Sequence, residues 1–456
     1  MDGFINQQQI DYVFYHISFL MELTPEIKNR FQFYTIENNF DQQKIIFRLS
    51  DKPFIETEII TIDEIPLLFP VSNNLTFFET KNQNVIFNHD LLKSAFYLLS
   101  GYQESQAKQL DKYERFPYEA SIQKRLHFIQ KPIVNYYFEI IVNGIETYCK
   151  INKIDFRRKK IFNNFGFWLS HDVDCVDNFT WRSVGFRIKQ LLGFAPLTAS
   201  RKAIAKLLFR TIYENLKFNK KANLFWNFNF LVELEKSLGI KSTFFFLPRQ
   251  SKFDGKYSVT ETRIKELIKY LENENVEIAL HGSFSSMQNF DKLKTGLNQL
   301  QSITNQKITG VRQHYLRCRI PETFISQQKL GLKFDSSLTF TAHEGFRNSY
   351  CLPFKLFDFE KNAMINLWEI PLTVMDVSWL HHRKLSFEEM EQSLNKILAE
   401  VKKFNGIFTL LWHNDQLDEF QFCGITEFYS NLLRKIANQN PEFFSGKEII
   451  DKLENV

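Results

Sequence analysis

From Phe165 onward, short apolar runs alternate with stretches of helical spacing. The runs "GFWLS", "KSTFFFLP", "VEIALHGS", "ITGVRQHYL", "LKFDSSL", "MINLWEIPLTVMD" and "GIFTLLWHND" read as buried strands. Between them, "TETRIKELIKYLENEN", "FDKLKTGLNQLQSI" and "PETFISQQKLG" carry apolar residues at helical intervals. The helix before the last strand opens on a capping box, Ser386 with Glu389, and stops at Asn405 and Gly406. Strands alternating with helices predict an α/β domain with a parallel sheet covered by helices. Seven strand candidates within 160–456 suit a (β/α) barrel; an open doubly wound sheet is the alternative.

Up to residue 145 the pattern is mixed. Strand-like "KIIFRLS", "LTFFET" and "NVIFNH" precede the helical "DLLKSAFYLLSGYQE", predicting a smaller α+β domain over 1–145. His16, His89 and His127 lie far apart there, without partners at a ligand spacing, and read as structural.

Composition changes this picture in three places. The 49 phenylalanines are spread along the chain and read as core filler. Five cysteines without a CxxC pair predict reduced, cytoplasmic usage, and neither a signal peptide nor an 18-residue apolar run is apparent. The net charge of +5 is local: residues 178–221 hold ten Lys or Arg against Glu214 alone, giving +9 and leaving −4 for the remainder. With apolar residues interleaved, as in "VGFRIKQLLGF", this basic insertion reads either as a solvated helix face or as an amphipathic helix on an anionic membrane at the inner face. Neither a GxGxxG nor a P-loop follows any strand, and no nucleic-acid partner is expected.

Catalytic groups of parallel-strand barrels gather at the C-terminal strand ends. Those ends deliver His171, Asp172 and Asp174; His281 with Ser285; Arg312 with His314; Asp335; Glu369 with Asp376; and His413 with Asp415. Asp172 and Asp174 are two apart on an extended strand and so face one side, with Val173 packed away. Converging carboxylates and imidazoles suit a divalent ion, and one carboxylate can bind it while its neighbour takes a proton from water.

With these residues placed, the second half resembles the polysaccharide deacetylase superfamily, the NodB-homology hydrolases that remove acetyl groups from N-acetylated sugars. "SHDVD", "STFFFLP", "EIALHGS", "GVRQH" and "LLWHN" resemble its motifs in order, over Phe165 to His413. The resemblance implies a deformed (β/α)7-type barrel, with Asp172 as base, Asp174 and His281 as ligands, Arg312 orienting the base, and His413, oriented by Asp376, as general acid. It implies a divalent metal, zinc foremost, with Co, Mn or Ni as alternatives. The substrate would be an N-acetylated saccharide or lipid-linked glycan precursor, and Arg347, Trp379 and Trp412 either line its groove or serve as packing. The chain departs from the pattern at Ser285, where the family's metal motif has a second histidine. Either His314 supplies the third ligand, or metal binds weakly, or the site is not catalytic; Ser285 then remains as a substrate contact. The finer wording is similar to a subgroup of bacterial proteins with an extra N-terminal domain of unknown role. Two other readings stand beside this one: a D-x-D glycosyltransferase using Asp172 and Asp174, and a non-catalytic glycan-binding or membrane-docked partner protein.

Overall fold

The structure, a computed structural model, describes residues 3–34, 43–179, 181–195, 197, 200–216 and 223–455. Its second half is a mixed α/β fold around one large sheet. The strands are β1 (Gly166–Val173), β2 (Ser242–Phe246), β3 (Glu277–Gly282), β4 (Gly310–Gln313), β5 (Phe334–Asp335), β6 (Phe354–Asp358), β7 (Ala363–Glu369), β8 (Val374–Met375), β9 (Ile407–Leu411) and β10 (Glu442–Phe443). Their order is β6-β7-β5-β4-β3-β2-β1-β9-β8, with β10 also against β1. All neighbours run parallel except β6 and β7. Every residue of β1, β2, β3 and β9 is buried, which is why these strands lack the apolar–polar alternation of a half-exposed strand.

A closed ladder, as a barrel would require, is not what the described residues form. The path is open from β6 to β8, and β7, paired with β6 at one end, and β8 at the other are successive pieces of the run "MINLWEIPLTVMD" that reads as one strand. Pro371 lies in the break and has no N–H to give a ladder. Side chains bridge there instead: the Thr373 N–H donates to Thr409 Oγ1 at 2.8 Å, and Thr373 Oγ1 donates to the Thr409 carbonyl at 2.7 Å.

Helices cover the sheet where the spacing predicts them, over Thr262–Asn273, Phe290–Gln301, Glu322–Lys329 and Phe387–Lys403. The last begins with both hydrogen bonds of the Ser386–Glu389 capping box. It buries Met390, Leu394, Ile397, Leu398 and Val401 on one side, each worth roughly 1.5–3 kcal/mol. The basic insertion forms two helices packed on one another, α1 (Trp181–Leu191) and α2 (Arg201–Leu216). Lys217, Lys220 and Lys221, and the side chain of Arg182, lie outside the described residues.

The N-terminal region is α+β. A four-stranded sheet runs in the order Phe31–Tyr34, Ile45–Arg48, Asn84–Phe87, Phe78–Lys81. Phenylalanines stack within its core, Phe47 on Phe87 with ring centres 4.7 Å apart. Helix Ile133–Asn152 runs across residue 145, where the first domain is expected to end. One apolar core is continuous through both halves. Tyr12 Oη donates to the Lys355 carbonyl at 2.7 Å, and the buried Arg347 pairs with Glu104. No helix among the described residues is long and apolar enough to cross a membrane.

Candidate metal centre

Five strand ends meet at one place. β1 carries Asp172 just before its end at Val173 and leads to Asp174, β3 supplies His281, β4 supplies Arg312 and leads into His314, β8 leads to Asp376, and β9 leads to His413. The parallel register sets Arg312 directly beside His281. Arg312 Nη1 donates to Asp172 Oδ1 at 2.7 Å and to Ser170 Oγ at 3.0 Å, while its Nε donates to the Ser336 carbonyl at 2.8 Å. Its guanidinium also lies 4.3 Å from the centre of the Phe245 ring. The base-like carboxylate is therefore held by one oxygen, and Asp172 Oδ2 is left 3.7 Å from His281 Nε2.

Each of three imidazoles is anchored through Nδ1, and each turns Nε2 toward Asp174. His281 Nδ1 meets the Arg312 carbonyl at 2.8 Å, an oxygen that can only accept, so Nδ1 carries the proton. His314 Nδ1 meets Asp254 Oδ1 at 3.2 Å, and His413 Nδ1 meets Asp376 Oδ1 at 2.8 Å. The Nε2 atoms then stand 3.1 Å (His281), 3.5 Å (His314) and 3.9 Å (His413) from Asp174 oxygens. Asp174 Oδ1 is buried and accepts no hydrogen bond. His281 Nε2 and Asp174 Oδ1 thus face one another at 3.1 Å, a contact that a proton or a metal ion between them would satisfy.

The electrostatics express the same demand. Burial disfavours charge on Asp174, yet His314 and His281 overcome it and hold the carboxyl well below the usual range. Burial likewise opposes the charge on His314, but Asp174 and Asp254 raise it to about 9. For His413 burial is again outweighed, chiefly by Asp376, and the imidazole is raised to about 10.

Asp174, His281 and His314 can bring one ligand atom each within 4.8 Å of one another. One carboxylate and two imidazoles, each fixed by a carbonyl or carboxylate behind it, are a donor set that fits Zn²⁺ or another borderline divalent ion. Ser285 Oγ lies 3.3 Å from Ser283 Oγ, and Ser285 is not among the residues that line the cavity over the cluster.

Three other residues expected at the site are placed elsewhere. Trp379 and Trp412 are 0% exposed and so cannot line a sugar groove. Arg347 is also buried, its Nε donating to Glu104 Oε1 at 2.8 Å and its Nη1 to the Thr339 carbonyl. His171 points away from Asp174, bound to Glu235 and to the Trp412 carbonyl.

Asp254, which fixes His314, escapes the sequence reading. Its carboxylate accepts from the N–H groups of Gln250, Ser251 and Phe284, and it is held down to about 2 by His314 and these donors against the opposing effect of burial. The adjoining Gly255 passes so close to the Asp174 carbonyl that a Cβ would overlap it. The Asp-Gly turn signal marks the loop in the sequence, but nothing links it to a histidine sixty residues on.

The cluster floors a cavity of about 370 Å³. A groove of about 500 Å³ begins at Asp174 and His314 and runs past Phe253 and Phe225 to Phe186, Ile204 and Leu207 of α1 and α2.

Residues 4–149 match a family of unknown function, DUF7033. No curated protein matches the chain. Among solved structures it is similar to a putative polysaccharide deacetylase from Mycobacterium smegmatis, with 15% identity over 64% of this chain and 92% of that one and a TM-score of 0.41. A probable polysaccharide deacetylase from Pseudomonas aeruginosa PAO1 matches with 13% identity, 63% and 91% coverage, and a TM-score of 0.41. A CE4 family pseudoenzyme from Bacillus anthracis matches with 14% identity, 64% and 66% coverage, and a TM-score of 0.33.

Proposed function

We propose that the chain is a metal-dependent hydrolase that removes N-acetyl groups from an amino-sugar glycan or its lipid-linked precursor. The observation that carries this reading is the convergence of three Nε2 atoms on Asp174, beside a carboxylate braced by a buried arginine. Asp174, His281 and His314 would hold the ion. When bound, a divalent ion there would lower the pKa of water and polarise an amide carbonyl.

The protein's own groups supply the proton transfers. Asp172, fixed through Oδ1 by Arg312, keeps Oδ2 on the cavity to take a proton from water. His413, held protonated by Asp376, gives a proton to the departing amine nitrogen. The two groups line one cavity, so acid and base act on the same amide. A D-x-D transferase would need both aspartates on a metal-bound diphosphate, and Arg312 already occupies Asp172.

The helices α1 and α2 support an approach to an anionic, inner-face membrane. Phe186, Leu192, Phe194, Phe209 and Leu216 stand exposed there, Phe194 at 80%, beside exposed Arg201, Lys202, Lys206 and Arg210. The groove from α1 and α2 to Asp174 would bring a lipid-linked saccharide to the site.

The test is acetate release from N-acetylated amino-sugar oligomers by the zinc- or cobalt-loaded protein. Asp172→Asn should lower the rate by about 10²–10⁴ with metal content unchanged, the usual worth of a general base. Equal acetate release by parent and variant would overturn the assignment.

A further inference from the structure

The catalytic cavity is not built by the second half alone. Lys112, Tyr113 and Arg115, which belong to the region matching the family of unknown function, line it together with Asp172, Asp174 and His413. We propose that the segment Asp111–Arg115 is the substrate-recognition wall of this cavity and that Lys112, with Arg115 and His382 beside it, binds an anionic substituent, carboxylate or phosphate, on the saccharide. The proposal rests on the deacetylase reading for the reaction, but not for the binding.

The wall is braced from within and from behind. Asp111 Oδ1 accepts from the N–H groups of Tyr113 (2.8 Å) and Arg115 (3.0 Å), and Asp111 Oδ2 accepts from Arg115 Nε (2.8 Å), which closes a tight turn. Arg115 Nη1 then reaches the carbonyl of Tyr315, next to His314, at 2.9 Å. In return Arg317 donates through Nε to the Tyr113 carbonyl at 2.8 Å and pairs with Glu114. The rings of Tyr113 and Tyr315 are 5.0 Å apart. Farther back, the Arg347–Glu104 pair anchors the same region, with both side chains almost without exposure. A loop fixed by this many cross-bonds beside the reacting groups is preorganised to contact a ligand.

Its charge selects the ligand. The carboxylates that line the cavity are Asp172 and Asp174, one engaged by Arg312 and one turned to the imidazoles. Asp111 is engaged by Arg115, and Glu114 by Arg317. Lys112 is exposed, with its Nζ 4.9 Å from the centre of the Tyr113 ring, and is free to swing on its stem. Burial first, then Arg115, His381 and Lys112, lower the pKa of His382, the mark of a positive field at this corner. A neutral His382 can donate to an anion without adding charge.

The test uses the full chain. Titration calorimetry of the Asp172→Asn protein with a hexuronate oligomer, with a sugar phosphate, and with a neutral N-acetylhexosamine oligomer should show tighter binding of at least one anionic probe, weakening with salt. The probe that binds identifies the substituent. Lys112→Glu should weaken that binding by about tenfold or more, the worth of a charge-assisted contact. In the metal-loaded Lys112→Gln protein, the ratio of kcat/KM for anionic over neutral substrate should fall by about tenfold, mainly through KM. Thermal unfolding checks that the variants keep the parent fold. Binding without acetate release from any substrate would overturn the deacetylase reading and leave the anion site standing. No preference for either anionic probe, or a preference unmoved by Lys112→Glu, would overturn the anion site even if acetate is released.

Discussion

Two pairs of carboxyl groups end strands of the same sheet, and they are in opposite electrostatic states. Asp172 and Asp174 flank Val173, the last residue of β1, among Arg312, His281, His314 and His413. Asp335 and Glu369 end β5 and β7 directly across from one another. They are buried at 0% exposure, with Gln327 and Ser337 donating to Asp335 and the Leu338 N–H to Glu369. Burial pushes both upward, and the neighbouring Asp335 pushes Glu369 further, so the proton resides on Glu369. The first pair faces a cavity among cationic partners; the second, holding its proton on Glu369, is a closed strut. Position at a strand end does not make a reactive carboxylate. Cations within reach and an opening to substrate do.

The contrast is most sharply broken by removing the cation from the first pair. Arg312→Met should strand Asp172 as a buried carboxylate and cost about 3–5 kcal/mol of stability, checked by urea unfolding with its activity loss alongside. Removing a support one layer back should cost less. Asp254→Asn leaves His314 in place but weakens its anchor, and metal affinity should drop by about 10- to 100-fold in chelator competition.

The smallest effect is expected in the second pair. Glu369 has a folded-state pKa above its unfolded value, so its contribution to stability is full below the unfolded pKa and is lost as pH rises through the folded one. Glu369→Gln should therefore flatten the fall in stability that sets in as pH rises above the unfolded carboxyl pKa, with a change within about 1 kcal/mol below it. Acetate release should be nearly unchanged. A large loss of activity would show that the two pairs are not distinct in role.

Much of the site is legible in the sequence because it follows strand periodicity. Asp172 and Asp174 share a side by the two-residue repeat, and His281 and Arg312 come to lie side by side because β3 and β4 are parallel neighbours. The capping box at Ser386 is a local signal and is read directly. What the sequence hides depends on long-range pairing. Asp254 meets His314 across sixty residues, and Arg347 finds Glu104 across 243, without any spacing rule to connect them. Trp379 and Trp412 are misread as groove residues because an aromatic near a strand end can face the core as well as the ligand. Pro371 marks the break between β7 and β8, but inside an apolar run it passes for part of one strand. The wall at Asp111–Arg115 is invisible for the same reason as Asp254: its partners lie about 200 residues downstream.

The central claim is that His314, and not Ser285, completes the proposed metal site with Asp174 and His281. Titration of the metal-free protein with Co²⁺, followed by its visible absorption, tests it directly. The account predicts one equivalent bound by the parent and by Ser285→Ala, with binding abolished or weakened at least about 100-fold in His314→Ala. No binding by the parent, or loss in Ser285→Ala with His314→Ala intact, would contradict it.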